Sequence, residues 1–156
     1  MLRWSLMFAA ASLAFAQISL AQISVLSVGE VPALRVKAGQ SVEAKLPLQL
    51  KAGYHVQSNM PTEDYLIPLK LTWNPGTLTA GPVAYPKPKF EKYVFDEKPL
   101  SVFTEDFAVT TRFTAPSSAP AGPATITGKV RYQACTDKMC LPPRNVEVTL
   151  KVTVLK

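Results

Sequence analysis

The sequence predicts an all-β fold of two antiparallel sheets packed face to face, and three observations carry that prediction. Apolar residues recur with a period of two along most of the chain, turn-forming Gly and Pro clusters punctuate it at short intervals, and no proline-free stretch of ten or more residues shows helical spacing. The 14 prolines all lie beyond residue 21, where they confine several strands to sheet edges or bulges.

The first segment is a leader. Arg3 supplies a positive start, Leu6 to Ala16 is an apolar run of 11 residues, and small-x-small sites end at Ala16 and Ala21. That is a secretory signal peptide over residues 1–21, cleaved after Ala16 or Ala21 and too short to span a bilayer. No other stretch has the roughly 18 apolar residues of a membrane span, and no cysteine beside the cleavage sites offers a lipid attachment point. The expected product is a soluble exported protein with no membrane insertion of the mature chain.

Residues 22–156, about 135 in number, make one domain large enough to bury a core without a covalent staple. Removing Arg3 takes the formal charge from +6 to +5. The lysines are scattered (Lys37, Lys45, Lys51, Lys70, Lys87, Lys92) rather than clustered among aromatics, which argues against a nucleic-acid partner.

Along the mature chain, Val42, Ala44, Leu46, Leu48 and Leu50 alternate with polar residues and Pro47. Ile67, Leu69, Leu71 and Trp73 alternate with Pro68, Lys70 and Thr72. Phe107, Val109 and Phe113 share a parity, as do Ile126, Val130 and Tyr132, and Val146 to Val154 alternates without interruption. Each is a strand with one buried and one wet face, with edges or bulges expected at Pro47 and Pro68. Turns are expected at 37–39, 51–53, Asn74-Pro75-Gly76 and Gly81-Pro82, with a loop over 115–123. Seven to nine short strands at this spacing read as an antiparallel β-sandwich of immunoglobulin type.

The two cysteines follow the strand 124–134. Parity puts Cys135 with Thr125, Thr127, Lys129, Arg131 and Gln133 on the wet face, and Cys140 follows after Thr136-Asp137-Lys138-Met139. Leu141-Pro142-Pro143 then makes a rigid exit. Both sulfurs therefore sit on a short, partly exposed loop, close enough to meet. A structural bridge is one reading, but closing a loop of about six residues contributes only roughly 2 kcal/mol in the chain-entropy model, and a staple serves better between distant strands. A short bridge on an exposed loop suits redox exchange. A metal site is the third reading: zinc lacks ligands, since the one histidine, His55, is far away in sequence, while copper(I) has two thiolates and Met139 or Met60. All three readings stay open on spacing alone.

Three segments together carry a resemblance: Gly53-Tyr54-His55-Val56-Gln57-Ser58-Asn59-Met60-Pro61, Leu66-Ile67-Pro68-Leu69-Lys70-Leu71, and Tyr132-Gln133-Ala134-Cys135 followed by Cys140-Leu141-Pro142-Pro143. Over most of the mature chain the sequence resembles the N-terminal periplasmic domain of the DsbD family, also called the disulfide bond corrector domain. The resemblance implies an immunoglobulin-like periplasmic domain without a cofactor, whose cysteine pair takes electrons from a thioredoxin-like donor and passes them to thiol–disulfide proteins. It implies that Cys140 forms the mixed disulfide and Cys135 resolves it. It also implies a cap loop over the pair, which falls at Tyr93 to Glu97 with Phe95 as the cap aromatic and Asp96 and Glu97 beside it. The family's best-known member has one residue more between its cysteines, and its cap acids precede the aromatic rather than follow it. That member also continues into membrane and thioredoxin-like domains, whereas this sequence ends at Lys156; the donor is then expected on another chain.

Other residues read as structure. His55 and the tyrosines are packing or scaffold positions, with Tyr132 packed beneath the cysteine loop, and one histidine without a serine elbow excludes Ser-His-Asp chemistry. Asp137 and Lys138 pull a neighbouring thiol pKa in opposite directions. The leading expectation is an electron-carrying exchange module, a redox carrier more than an enzyme with its own small substrate. Its rivals are an exported protein-binding module with a structural disulfide and a copper-handling domain.

Overall fold

The computed structural model describes residues 24–156; the predicted leader, residues 1–21, lies outside them. The described chain is all strand and loop: β1 Leu26–Val28, β2 Leu34–Lys37, β3 Ser41–Leu50, β4 His55–Gln57, β5 Lys70–Trp73, β6 Thr79–Ala84, β7 Lys89–Glu91, β8 Leu100–Phe103, β9 Phe107–Thr114, β10 Gly122–Tyr132, β11 Ala134–Cys135 and β12 Arg144–Leu155. They form three four-stranded sheets, ordered β1-β3-β9-β6, β2-β12-β10-β5 and β11-β4-β8-β7. All pairs are antiparallel except β2 with β12. This is the immunoglobulin-like sandwich that the alternation predicts, though with twelve strands in three sheets rather than seven to nine in two, and with one parallel pair.

The core follows from period two. In β12, Val148, Leu150, Val152 and Val154 are buried while Glu147, Thr149 and Lys151 are exposed; β10 repeats the pattern with Ile126, Val130 and Tyr132 inside. These residues meet Ala44, Leu46, Leu48, Val109 and Phe113 of the first sheet in one cluster. Each buried aliphatic side chain contributes roughly 1.5–3 kcal/mol relative to exposure. Trp73 ties the sheets together: its indole N–H donates to Thr111 Oγ1 at 3.0 Å, and its ring meets Phe113 edge-on at 5.0 Å. Gly128, opposite Trp73 in register, leaves room for that ring; a Cβ there would lie 2.6 Å from both Trp73 Cε3 and the Thr72 carbonyl oxygen.

The glycines of the two Lys-Ala-Gly turns take φ of +79° at Gly39 and +82° at Gly53, a left-handed conformation that suits glycine. The loop expected over 115–123 is shorter, 115–121, because β10 already begins at Gly122. Pro47 sits in β3 where the ladder to β1 has just ended: Gly29 N donates to the Pro47 carbonyl at 2.9 Å, so the missing proline N–H faces the same spent edge.

Three local expectations fail for physical reasons. Gly81-Pro82 is a bulge inside β6, where the register slips between Ala80 and Val83, rather than a turn. Pro68 lies before β5, which starts at Lys70, because a proline cannot donate to the ladder. The strand expected over 124–134 ends at Tyr132, and after Gln133 the chain changes sheet: Tyr132 pairs Arg144 in the second sheet, while Ala134 pairs Val56 in the third. Parity restarts at that corner, so Cys135 is fully buried, not on the wet face.

Candidate functional site

The cysteine loop is a hairpin built on the third sheet. Cys135 and Cys140 form an antiparallel bridge and are joined as a disulfide with an S–S distance of 2.01 Å. Thr136 closes the intervening turn: its N–H donates to the Met139 carbonyl at 2.8 Å, and its hydroxyl oxygen accepts from Lys138 N and Met139 N. Leu141 N then donates to the Ala134 carbonyl at 2.8 Å. Gln133, at the sheet-changing corner, clamps the exit, accepting from Ile67 N at 3.0 Å and donating to the Leu141 carbonyl at 3.4 Å. The two sulfurs differ in surroundings. Cys135 is sealed, Cys140 is half-buried, and Met139 beside it is exposed.

Register places the neighbours. Cys135 opposes His55 across the β4–β11 pair, so both side chains leave the same face of the sheet, and Gln57, two residues on, shares it. Gln57 is fully buried, and its Nε2 donates to Cys135 Sγ at 3.5 Å. His55 is buried as well, with its ring stacked on Tyr93 at a centroid distance of 4.0 Å. Phe95 continues the stack, 5.6 Å from Tyr93 and 6.5 Å from His55. Below them Leu66, Leu100 and Val102 form a second apolar cluster against which Tyr93 and Phe95 pack. The segment Tyr93 to Glu97 thus lies over the face that carries Cys135. Tyr93 is the ring next to His55, with Phe95 one ring further out.

The His55 ring on this face is uncharged. Burial strips hydration from a His55 cation and lowers its pKa to about 4, with the Glu91 carboxylate pulling the other way, so the ring is neutral at neutral pH. Burial first, then its hydrogen bond to Glu91, pushes the Tyr93 phenol upward; it stays protonated and donates to Glu91 Oε2 at 3.0 Å. Asp96 uses its carboxylate within the loops, accepting from the Tyr65 hydroxyl and, at 3.1 Å, from Lys98 N; the Tyr65 bond is the main cause of its lowered pKa. Glu97 is exposed, and its carbonyl accepts from Lys92 Nζ at 2.8 Å. Lys98 pairs with Glu63 at 2.9 Å, so the cap segment is laced to the loop after β4. Tyr132 is buried in the main core at the corner before the cysteine loop.

Sequence reasoning treated His55 as scaffold and did not single out Gln57. The available signal was the pair of polar residues flanking Val56 in a strand, a period-two hint that a polar face meets something other than solvent. Among the described residues, no cluster of three or more His, Cys, Asp or Glu groups could hold a metal ion, and no helix is long and apolar enough to cross a membrane.

A β-sandwich with a disulfide-bonded hairpin on one sheet, beside an aromatic stack on His55, fits a class of small thiol–disulfide domain. A sequence model of the family described as thiol:disulfide interchange protein DsbD, N-terminal, matches residues 22–152, and the chain belongs to that family. Among solved structures, the N-terminal periplasmic domain of ScsB from Proteus mirabilis shares the fold, with a TM-score of 0.54 at 11% identity over 80% of this chain. The chain spans 44% of that relative's length. The major fimbrial subunit AggA from Escherichia coli aligns over 83% of this chain and 95% of its own, at 10% identity and a TM-score of only 0.39. No curated protein matches the sequence.

Proposed function

We propose that the protein is an exported, periplasmic thiol–disulfide exchange module that relays electron pairs between thioredoxin-like proteins through Cys135 and Cys140. The observation that carries this reading is the unequal burial of the pair: Cys140 is half-buried, while Cys135 is sealed. A donor thiolate attacks Cys140 Sγ, an S–S bond forms between donor and Cys140, and the Cys135–Cys140 bond breaks with its electron pair leaving on Cys135. The donor's second thiolate then attacks its own mixed disulfide and releases Cys140, so donor is oxidised and module reduced by two electrons. In the outgoing half, the Cys140 thiolate attacks an acceptor disulfide and Cys135 resolves the complex. No cofactor enters.

The rim suits a protein partner. Val94 on the cap loop, Met60 and Tyr65 on the loop after β4, and Met139 in the cysteine loop are exposed apolar or aromatic side chains. The test uses a thioredoxin-like domain whose single remaining cysteine is activated with thionitrobenzoate. Cys135→Ala should displace the coloured anion and form a stable mixed disulfide, whereas Cys140→Ala should not. Equal trapping by both variants would contradict the assigned roles.

A further inference from the structure

When a thiolate attacks Cys140, the departing electron pair and a full negative charge arrive on Cys135 Sγ, an atom fully removed from solvent. Burial disfavours that charge, and a poor leaving thiolate slows exchange. Asp137 and Lys138 are exposed in the turn, and the ring of His55 is neutral. Among the described residues, the side chain that donates to this sulfur is Gln57, through Nε2 at 3.5 Å. The amide is an odd thing to bury there. Its Oε1 has no hydrogen-bond partner among the described residues, and a disulfide sulfur is a weak acceptor, so in the oxidised protein the group is poorly compensated. A thiolate is a far better acceptor than a disulfide sulfur. The contact therefore strengthens as charge develops, the condition for accelerating a step rather than merely holding a ground state.

We propose that Gln57 is a catalytic residue of the exchange reaction, its side-chain N–H stabilising the thiolate that leaves on Cys135. This assignment rests on the exchange reading above, and its chemistry can be measured without a protein partner. The probe is dithiothreitol: one of its thiolates attacks Cys140, Cys135 leaves as the thiolate, and the second thiolate of the reagent completes the two-electron reduction. Gln57→Met keeps the side-chain length and removes the donor. A hydrogen bond to a charged group predicts that reduction of oxidised Gln57→Met slows about tenfold or more. In the Cys140→Ala background, the ultraviolet thiolate absorbance of Cys135 should titrate about one pH unit higher when Gln57 is replaced. A purely structural role would change the unfolding midpoint and leave both readouts alone.

Gln57→Asn, which keeps a buried amide but withdraws it by one methylene, should shift both in the same direction and serves if the Met variant does not fold. Unchanged rate and titration in a folded variant overturn the proposal. The two readings fail separately. Reduction by a Cys-X-X-Cys protein that is indifferent to Gln57 refutes this role alone. A Cys135 titration that follows Gln57, in a protein no thioredoxin-like domain reduces, refutes the relay alone.

Discussion

Acidification should weaken this fold through one side chain. His55 is the sole histidine of the chain, and its ring is sealed between the third sheet and Tyr93 with Nε2 unpartnered among the described residues. The folded protein holds it neutral, with a pKa near 4, while in the unfolded chain it ionises near the ordinary value of about 6.5. Between those values the unfolded state binds more protons, so stability falls as pH drops through about 6.5, and the loss is complete below about 4. From about pH 7 to about pH 4.5 the linkage relation gives a loss of about 2 kcal/mol from this residue, the Glu91 carboxylate being its charged neighbour. His55→Phe keeps a planar ring against Tyr93 and cannot titrate. Urea unfolding of both proteins at the two pH values measures the difference of differences, in which contributions from carboxylates such as Asp96 cancel. Wild type should lose about 2 kcal/mol more than His55→Phe. Equal losses in the two proteins would refute the buried neutral histidine.

Two further substitutions probe the frame and the cover. Gly128→Ala puts a Cβ 2.6 Å from the Thr72 carbonyl oxygen and the Trp73 ring, so the β5–β10 pair has to move; unfolding should show a loss of about 2 kcal/mol, and a change within about 0.5 kcal/mol would count against that close approach. Tyr93→Ala removes the ring stacked on His55 and should speed reduction of the disulfide by dithiothreitol, whereas Phe95→Ala, one ring further out, should do less; the reverse order would support Phe95 as the cap aromatic that the family resemblance implies.

Much of this was legible in the sequence, and each failure has its own physical cause. The long strands β3, β10 and β12 announce themselves because one face is buried and the other wet, which writes period two directly into residues such as Val148 to Val154. Leu100–Phe103 was invisible because β8 is buried on both faces between the main core and the cluster under the cap, so alternation vanishes. The environment of Cys135 was misread because parity carries no mark of the corner at Gln133, where pairing passes from Arg144 to Val56. Motif spacing located the cysteines, but a strand-to-strand register places His55 and Gln57 beside the sulfur, and register between residues 78 positions apart is a tertiary fact. The acids Asp96 and Glu97 lay in the expected segment, yet their partners, Tyr65 and Lys92, were not deducible from order along the chain.

The reduction potential of the Cys135–Cys140 disulfide is the most direct test, measured by equilibrating the protein in thiol redox buffers and counting alkylated thiols by mass spectrometry. An electron relay predicts a value between about −180 and −270 mV, the range of exchange proteins. A value below about −300 mV would make the bridge a structural one and leave the domain as a binding module.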